Sequence, residues 1–237
     1  MSKFTMDLSE FKLKALGIDK KLFGKVYSFV DFGNVNYWFE KDERDAQNKL
    51  LGENEKLIVD IEKLADFLDL FSDQKRFYYG WNARLETSWH LPIKAEKYGF
   101  IKVTKPIQFI KHYLDDLELK IVVQTKIKQD RSGNYYIEIP KSNFDVEISV
   151  DSIRLLKKYD TFCLLSGDSD FVRLIEFLKK NNKNIIIIAA GEVVRTLKEN
   201  ADNFINAQRI KGQITIIKKT PPVKAEFKNR IRLGRTR

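Results

Sequence analysis

At 237 residues the chain is long enough for one well-buried domain with room for an extension or an inserted element, and 43% hydrophobic with 32% charged residues excludes disorder of the whole chain. One cysteine, Cys163, excludes a disulfide framework or a cysteine-rich metal cluster within the chain. The net charge of +10 is uneven: from residue 211 onward nine basic residues stand against Glu226, so the stretch carries +8 and leaves about +2 for the rest. A basic tail of this kind either solubilises or binds a polyanion, gaining from the counterions that each neutralised phosphate releases. The N-terminal "MSKFTMDLSEFKLKALG" has no apolar core of signal-peptide length, and no stretch approaches the roughly 20 apolar residues that cross a bilayer, so a soluble, cytoplasmic protein is expected.

In chain order, Leu8, Phe11, Leu13 and Leu16 predict a short amphipathic accessory helix over 7–22, closed by Gly17. "KVYSFVDF" (25–32) reads as a strand, and apolar residues at Leu57, Ile61, Leu64, Leu68 and Phe71 predict one helix over 55–71. With a second strand at 75–81 the order is βαβ, which favours a parallel sheet. A helix over roughly 85–98 ends at Gly99, before the strand "FIKVTKP" stopped by Pro106. Two β-rich runs flanking "RSGN" predict an inserted β-hairpin over about 119–140. A helix (144–158), a strand (161–166), a helix (170–180) and the all-apolar strand "NIIIIAA" (184–190) complete the pattern; continuous apolar strands imply helices on both sheet faces. The expected organisation is an accessory helix over 1–24, one domain over 25–210 and a basic tail over 211–237.

Three segments place aspartate among apolar neighbours: "FVDFGN" (29–34), "NFDVEISVDS" (143–152) and "LLSGDSDF" (164–171). Asp31 and Asp168 follow strands, whose carboxyl ends lie along one edge of a parallel sheet; Asp145 begins a helix near that edge. At about 100° per residue, Asp145, Ser149 and Ser152 fall on one narrow face of an otherwise apolar helix, which calls for a cation or a water-filled cleft opposite Asp145; Asp151 lies well away from it. Carboxylates brought together repel unless a cation neutralises them, and oxygen donors with no cysteine cluster and two histidines favour Mg²⁺ or Mn²⁺ over zinc. A plainer reading remains for each residue: Asp170 as a helix cap, Asn34 as a left-handed turn residue after Gly33, and Asp31, Asp145 and Asp168 as structural turn or cap residues. His90, His112 and the tryptophans Trp38, Trp81 and Trp89 read as packing or surface residues.

"FVDFGNVNY", "FYYGW", "KPIQFIK", "NFDVEISVDSI" and "YDTFCLLSGDSDFVRLIEFLKKNNKNIIIIA" followed by "ADNFI" resemble, in this order over roughly 25–208, the NYN-domain proteins of the PIN-like nuclease superfamily. The resemblance implies a three-layer α/β/α sandwich with a central, mainly parallel sheet, and a metal-dependent endoribonuclease acting on single-stranded or structured RNA. It places catalytic acids at Asp31, Asp145, Asp168 and Asp170, with Asp31, Asp145 and Asp168 holding Mg²⁺ or Mn²⁺ and Asp170 positioning another ion or the attacking water. Asn34 would contact the scissile phosphate or a coordinated water, Ser166 is the polar companion on the substrate side, and Asp151 matches a recurrent acid of less certain role. A glycine common in the family before the last motif strand is here Asn182, which tolerates left-handed geometry. The hairpin and the tail are additions to the pattern, expected to set substrate choice and to hold the nucleic-acid backbone. The alternative function is a non-catalytic RNA-binding or regulatory module that retains a structural metal site.

Overall fold

The computed structural model describes residues 8–122 and 126–219, so the reading of the tail beyond residue 219 lies outside the described residues. The N-terminal helix expected over 7–22 is broken in two, α1 (Leu8–Ala15) and α2 (Lys20–Phe23), because Gly17 takes a left-handed φ of +75° between them. Leu13, Leu16 and Phe23 are buried, whereas Leu8 and Phe11 face solvent. β1 (Val26–Asp31) runs directly into a one-turn helix, α3 (Phe32–Val35).

The single helix expected over 55–71 is instead a strand and a helix, β2 (Glu55–Val59) and α4 (Ile61–Asp69). Asp60 marks the change, with a carboxylate that caps α4 by accepting from the Lys63 amide at 3.1 Å. β3 (Gln74–Trp81), α5 (His90–Lys97) and β4 (Phe100–Pro106) follow as expected, with Gly99 left-handed at the end of α5.

Next come β5 (Gln108–Tyr113), α6 (Glu118–Ile121), β6 (Lys128–Gln129) and β7 (Tyr135–Lys141). They correct the expected hairpin. The "RSGN" turn is present, with Gly133 at φ +87° and Asp130 accepting from the Ser132 and Asn134 amides, but its first arm is only two residues of strand. The long partner of β7 is β5, paired antiparallel from Gln108 opposite Lys141 to Tyr113 opposite Tyr136. Asp115 accepts from the Leu117 and Glu118 amides and so turns the intervening chain into α6.

The remaining elements are α7 (Asp145–Arg154), β8 (Thr161–Leu165), α8 (Val172–Lys180), β9 (Asn184–Ala189), α9 (Arg195–Glu199), β10 (Asn203–Asn206), α10 (Lys211–Ile214) and β11 (Thr215–Lys219). α7 is shorter than expected, and Val146, Val150 and Ile153 are 71%, 46% and 45% exposed, so only one side of it is buried. Asn182 adopts φ +58°, the left-handed geometry that the family's usual glycine would allow. Residues 211–219, read from their charge as part of a tail, fold back: β11 pairs antiparallel with β2, and Ile214 and Thr215 are buried. No described helix is long and apolar enough to cross a membrane.

The central sheet has six strands in the order β10-β9-β8-β1-β3-β4, every neighbouring pair parallel. Alternation along β1 sends Val26 and Val30 to one face and Tyr27 and Phe29 to the other, and separate cores cover the two faces. One core includes Leu13, Phe23, Leu64, Leu68 and Ile214 from the helices; the other includes Ile148 of α7, Leu174 and Leu178 of α8 and Leu197 of α9. The result is a three-layer α/β/α sandwich. From β1 the chain builds outward to β3 and β4, then returns to add β8, β9 and β10 on the opposite side, so the order reverses between β1 and β8.

Candidate functional site

The reversal point is where an open parallel sheet leaves a crevice at its carboxyl edge, because the chains leaving the two adjacent strands depart in opposite directions. The register pairs Val30 with Leu165, so the next residues, Asp31 and Ser166, emerge side by side. Ser166 is fully buried, and its Oγ donates to Asp31 Oδ2 at 3.1 Å while accepting from the Asp168 amide at 3.3 Å. It therefore sets the position of both acids from beneath, and it does not face the cleft as a substrate contact would.

Burial is the main reason that the Asp31 carboxyl is pushed up to about 6; the Ser166 hydroxyl and the backbone N–H of Asn34 oppose this, while the charges of Asp145 and Asp168 add to it. Asn34 reaches the same crevice from α3. Its Oδ1 accepts from the Trp38 indole at 3.0 Å and from the Gly167 amide at 3.4 Å, which leaves Nδ2 as the donor of a side chain that lines the cleft. Asn34 is thus not merely a turn residue, and Trp38 has a positioning role.

Asp168 is the cap of the turn that opens α8: its Oδ1 accepts from the Asp170 amide at 3.1 Å, leaving its second oxygen for another partner. The capping function considered for Asp170 is thus performed by Asp168. Across the crevice, Asn143 Oδ1 accepts from the Asp145 amide at 2.8 Å and fixes the first turn of α7. Burial, reinforced by Asp168 and Asp170, raises the Asp145 carboxyl above the usual aspartate range.

Oxygens of Asp145, Asp168 and Asp170 lie within 4.8 Å of one another, Asp170 being the most exposed of the three. Asp31 stands outside that set but close enough for its charge to couple to Asp145 and Asp168, and it lines the same cleft. The ligand set expected from sequence, Asp31, Asp145 and Asp168, is thus placed differently: Asp170 joins the tight group and Asp31 backs it. Asp151 is directed elsewhere, accepting from Arg76 Nη2 at 2.8 Å and from the Tyr78 hydroxyl at 2.9 Å. The histidines are remote in role, His112 pairing with Glu118 at 3.0 Å.

The cleft has a volume of about 390 Å³, and its lining includes Tyr37, Tyr79, Lys141, Ser142 and Asn143. Among the described residues, no lysine or arginine forms an ion pair with Asp31, Asp145, Asp168 or Asp170. Lys105, whose charge reaches Asp145, is held by Glu147 at 2.6 Å. Uncompensated hard oxygen donors at this spacing fit a divalent cation such as Mg²⁺ or Mn²⁺. Sequence reading missed Gly80, Ser142 and Asn143. Asn143 carries a local signal, an amide two residues before a helix start, whereas Gly80 and Ser142 become a pair only in the folded chain.

Compared with known proteins, residues 25–211 match the family model of the NYN domain. The curated "Low amplitude and bright protein LabA" of Synechococcus elongatus is 30% identical over 111 residues, 45% of this chain; the match spans 59% of that protein's length. The crystal structure of a protein of unknown function from Vibrio parahaemolyticus superposes with a TM-score of 0.54 at 20% identity, covering 81% of this chain and 96% of that one. That likeness speaks to the fold.

Proposed function

The chain belongs to the NYN-domain family, and on that premise we propose that it is a divalent-metal-dependent ribonuclease that cuts RNA internally at the aspartate cluster. The observation that carries this reading is the group of Asp145, Asp168 and Asp170 oxygens within 4.8 Å of one another, without a neutralising side chain among the described residues, at the switch point of a parallel sheet. Mg²⁺ or Mn²⁺ bound there would polarise a phosphate oxygen and activate the water that attacks phosphorus in line with the leaving oxygen.

The residues of the chain divide the remaining work. Asp145, Asp168 and Asp170 would hold the ion, and Asp31, hydrogen-bonded by the Ser166 hydroxyl, would supply a fourth carboxylate beside them. With its oxygen occupied by Trp38 and Gly167, Asn34 presents Nδ2 to a phosphate oxygen. Tyr37 and Tyr79 contribute aromatic surface to the cleft, and Lys141, in the same lining, offers a charge to the backbone of the bound strand. Lys218 and Lys219 of β11, with the basic residues that follow, add non-specific attraction for the same polyanion. Preference for RNA over DNA is taken from the family. The single buried thiol, Cys163, suits a reducing, cytoplasmic setting.

The test is incubation of the full chain with mixed RNA and DNA pools in Mg²⁺, Mn²⁺ or chelator, alongside Asp168→Asn. Cleavage of RNA by the wild type, stopped by chelator and slowed about 100-fold or more in the variant, is expected, with RNA binding and melting temperature largely retained. Metal-stimulated cleavage at an undiminished rate in Asp168→Asn contradicts the proposed centre. RNA binding without cleavage under any metal would identify a non-catalytic module.

A further inference from the structure

The antiparallel sheet β5-β7-β6 stands apart from the six-stranded sheet, yet its end opens on the cleft. β7 delivers Pro140 and Lys141 to the cleft wall, and only Ser142, Asn143 and Phe144 separate it from Asp145. Pairing of Phe109 with Pro140, Lys111 with Glu138 and Tyr113 with Tyr136 puts these six residues on one face, and Lys128 of β6, opposite Tyr136, joins them. The face that begins at the cleft with Pro140 therefore continues outward as aromatic rings alternating with charges.

Its charges are predominantly positive. Lys111 Nζ lies 4.6 Å from the Tyr136 ring centroid, and the Arg84 guanidinium packs 3.9 Å over Phe109. Of the described acids at this face, Glu138 is occupied by Arg84 and by Lys128 at 2.7 Å, so it braces two cations, while Asp130, beside the Tyr113 hydroxyl, is engaged by the Ser132 and Asn134 amides of its own turn. Tyr113 and Tyr136 pack with centroids 5.8 Å apart, and Tyr113 is 51% exposed. Neighbouring positions on one face of a strand are about 6.6 Å apart, room for one planar group each. An exposed Tyr113 ring beside the half-buried Tyr136, with the Arg84 guanidinium lying over the half-buried Phe109 and lysines between them, matches a partner with alternating flat bases and phosphates in an unpaired strand. A duplex hides its base faces and would leave the rings unused.

We infer that the β5-β7-β6 sheet is a platform for single-stranded RNA, stacking bases on Tyr113, Tyr136 and the Arg84-covered Phe109 and leading the strand over Pro140 into the acidic cleft. The inference rests on the ribonuclease reading for the direction of the strand, but binding to the platform is measured without cleavage. In chelator, and at raised salt where the electrostatic share of the tail falls, anisotropy of a labelled single-stranded RNA should report affinity for the full chain. Tyr113→Ala with Tyr136→Ala is expected to weaken binding about 30-fold or more, since two bases each lose stacking of about 1–3 kcal/mol, whereas Tyr113→Phe with Tyr136→Phe should bind nearly as the wild type does. Ultraviolet crosslinking of the wild type to iodouridine-containing RNA, independent of any variant's folding, should label peptides spanning 109–113 and 135–141. Unchanged affinity in the alanine variant with crosslinks confined to other segments would overturn the platform, as would equal affinity for duplex RNA. Loss of cleavage with the crosslinks intact would instead remove the nuclease reading alone.

Discussion

Asp31 shows how a residue placed for chemistry strains the protein that holds it. Its folded-state pKa of about 6 lies above the ordinary 3.8, chiefly because of burial, so folding favours the protonated form. Its contribution to stability is therefore complete below pH 3.8 and is lost as the pH rises through about 6. In metal-free protein at pH 7.5, Asp31→Asn is expected to raise the unfolding free energy by about 2–3 kcal/mol, and near pH 4 the two proteins should unfold alike. Urea unfolding at the two pH values measures this; equal stability at pH 7.5 would mean that the carboxylate is compensated by a partner other than a cation. The same balance gives the Ser166 hydroxyl its role: its hydrogen bond to Asp31, with the influence of the Asn34 backbone N–H, lowers the pKa that burial raises and keeps the ionised form accessible. Asp31, Asp145 and Asp168 stood out in the sequence as candidate site residues because a lone acid in an apolar context is costly to bury. Asp151 resembled them in sequence, but its partners Arg76 and Tyr78 come from β3, a pairing that no local pattern announces.

Elements with one consistent signal were read correctly, and elements with two were not. β1, β8 and β9 are apolar on both faces and were recognisable as strands buried beneath helices. Over 55–71, Leu57 fits a helical face with Ile61 and Leu64, yet Leu57 and Val59 are also the alternate buried residues of a strand, and Asp60 decides the boundary through its cap on α4. β11 was hidden by its lysines, which dominate a charge count although Thr215, Ile216 and Ile217 supply the β-branched character that pairs it with β2. The contact of β3 with the cleft wall was equally invisible. A Cβ at Gly80 would fall against the Ser142 Oγ, 2.5 Å from the Ser142 Cβ and 3.0 Å from Ile107 Cγ1, too close for a side-chain rotation to relieve. Gly80→Ala is thus expected to cost about 1–3 kcal/mol of stability and to displace the segment that carries Asn143 and Asp145, lowering cleavage by more than its effect on folding explains. Melting temperature and single-turnover cleavage, measured together, check this; wild-type values for both would show that the wall moves freely.

At the scale of the whole molecule, the proposed function rests on one topological fact. A parallel sheet that grows first toward β4 and then toward β10 must leave its crevice between β1 and β8, and the chain places an acid at the carboxyl end of each of these strands and a third at the start of α7. The chain's additions differ in their relation to that crevice: β11 is stitched to β2 in the body, while β5 and β7 form a surface that ends at the cleft. The sandwich, its parallel sheet and the acidic crevice could be read from residues alone, because buried strands and isolated acids are local signals; the three-stranded sheet could not, because β5 and β7 are separated by α6 and β6. The measurement that bears most directly on the account is Mn²⁺ binding to the metal-free full chain, followed by electron paramagnetic resonance in parallel with Asp168→Asn. The account requires saturable binding by the wild type that Asp168→Asn weakens at least about tenfold, since removing a carboxylate ligand removes both charge and coordination. Equal Mn²⁺ binding by the two proteins, or none by the wild type, would contradict it.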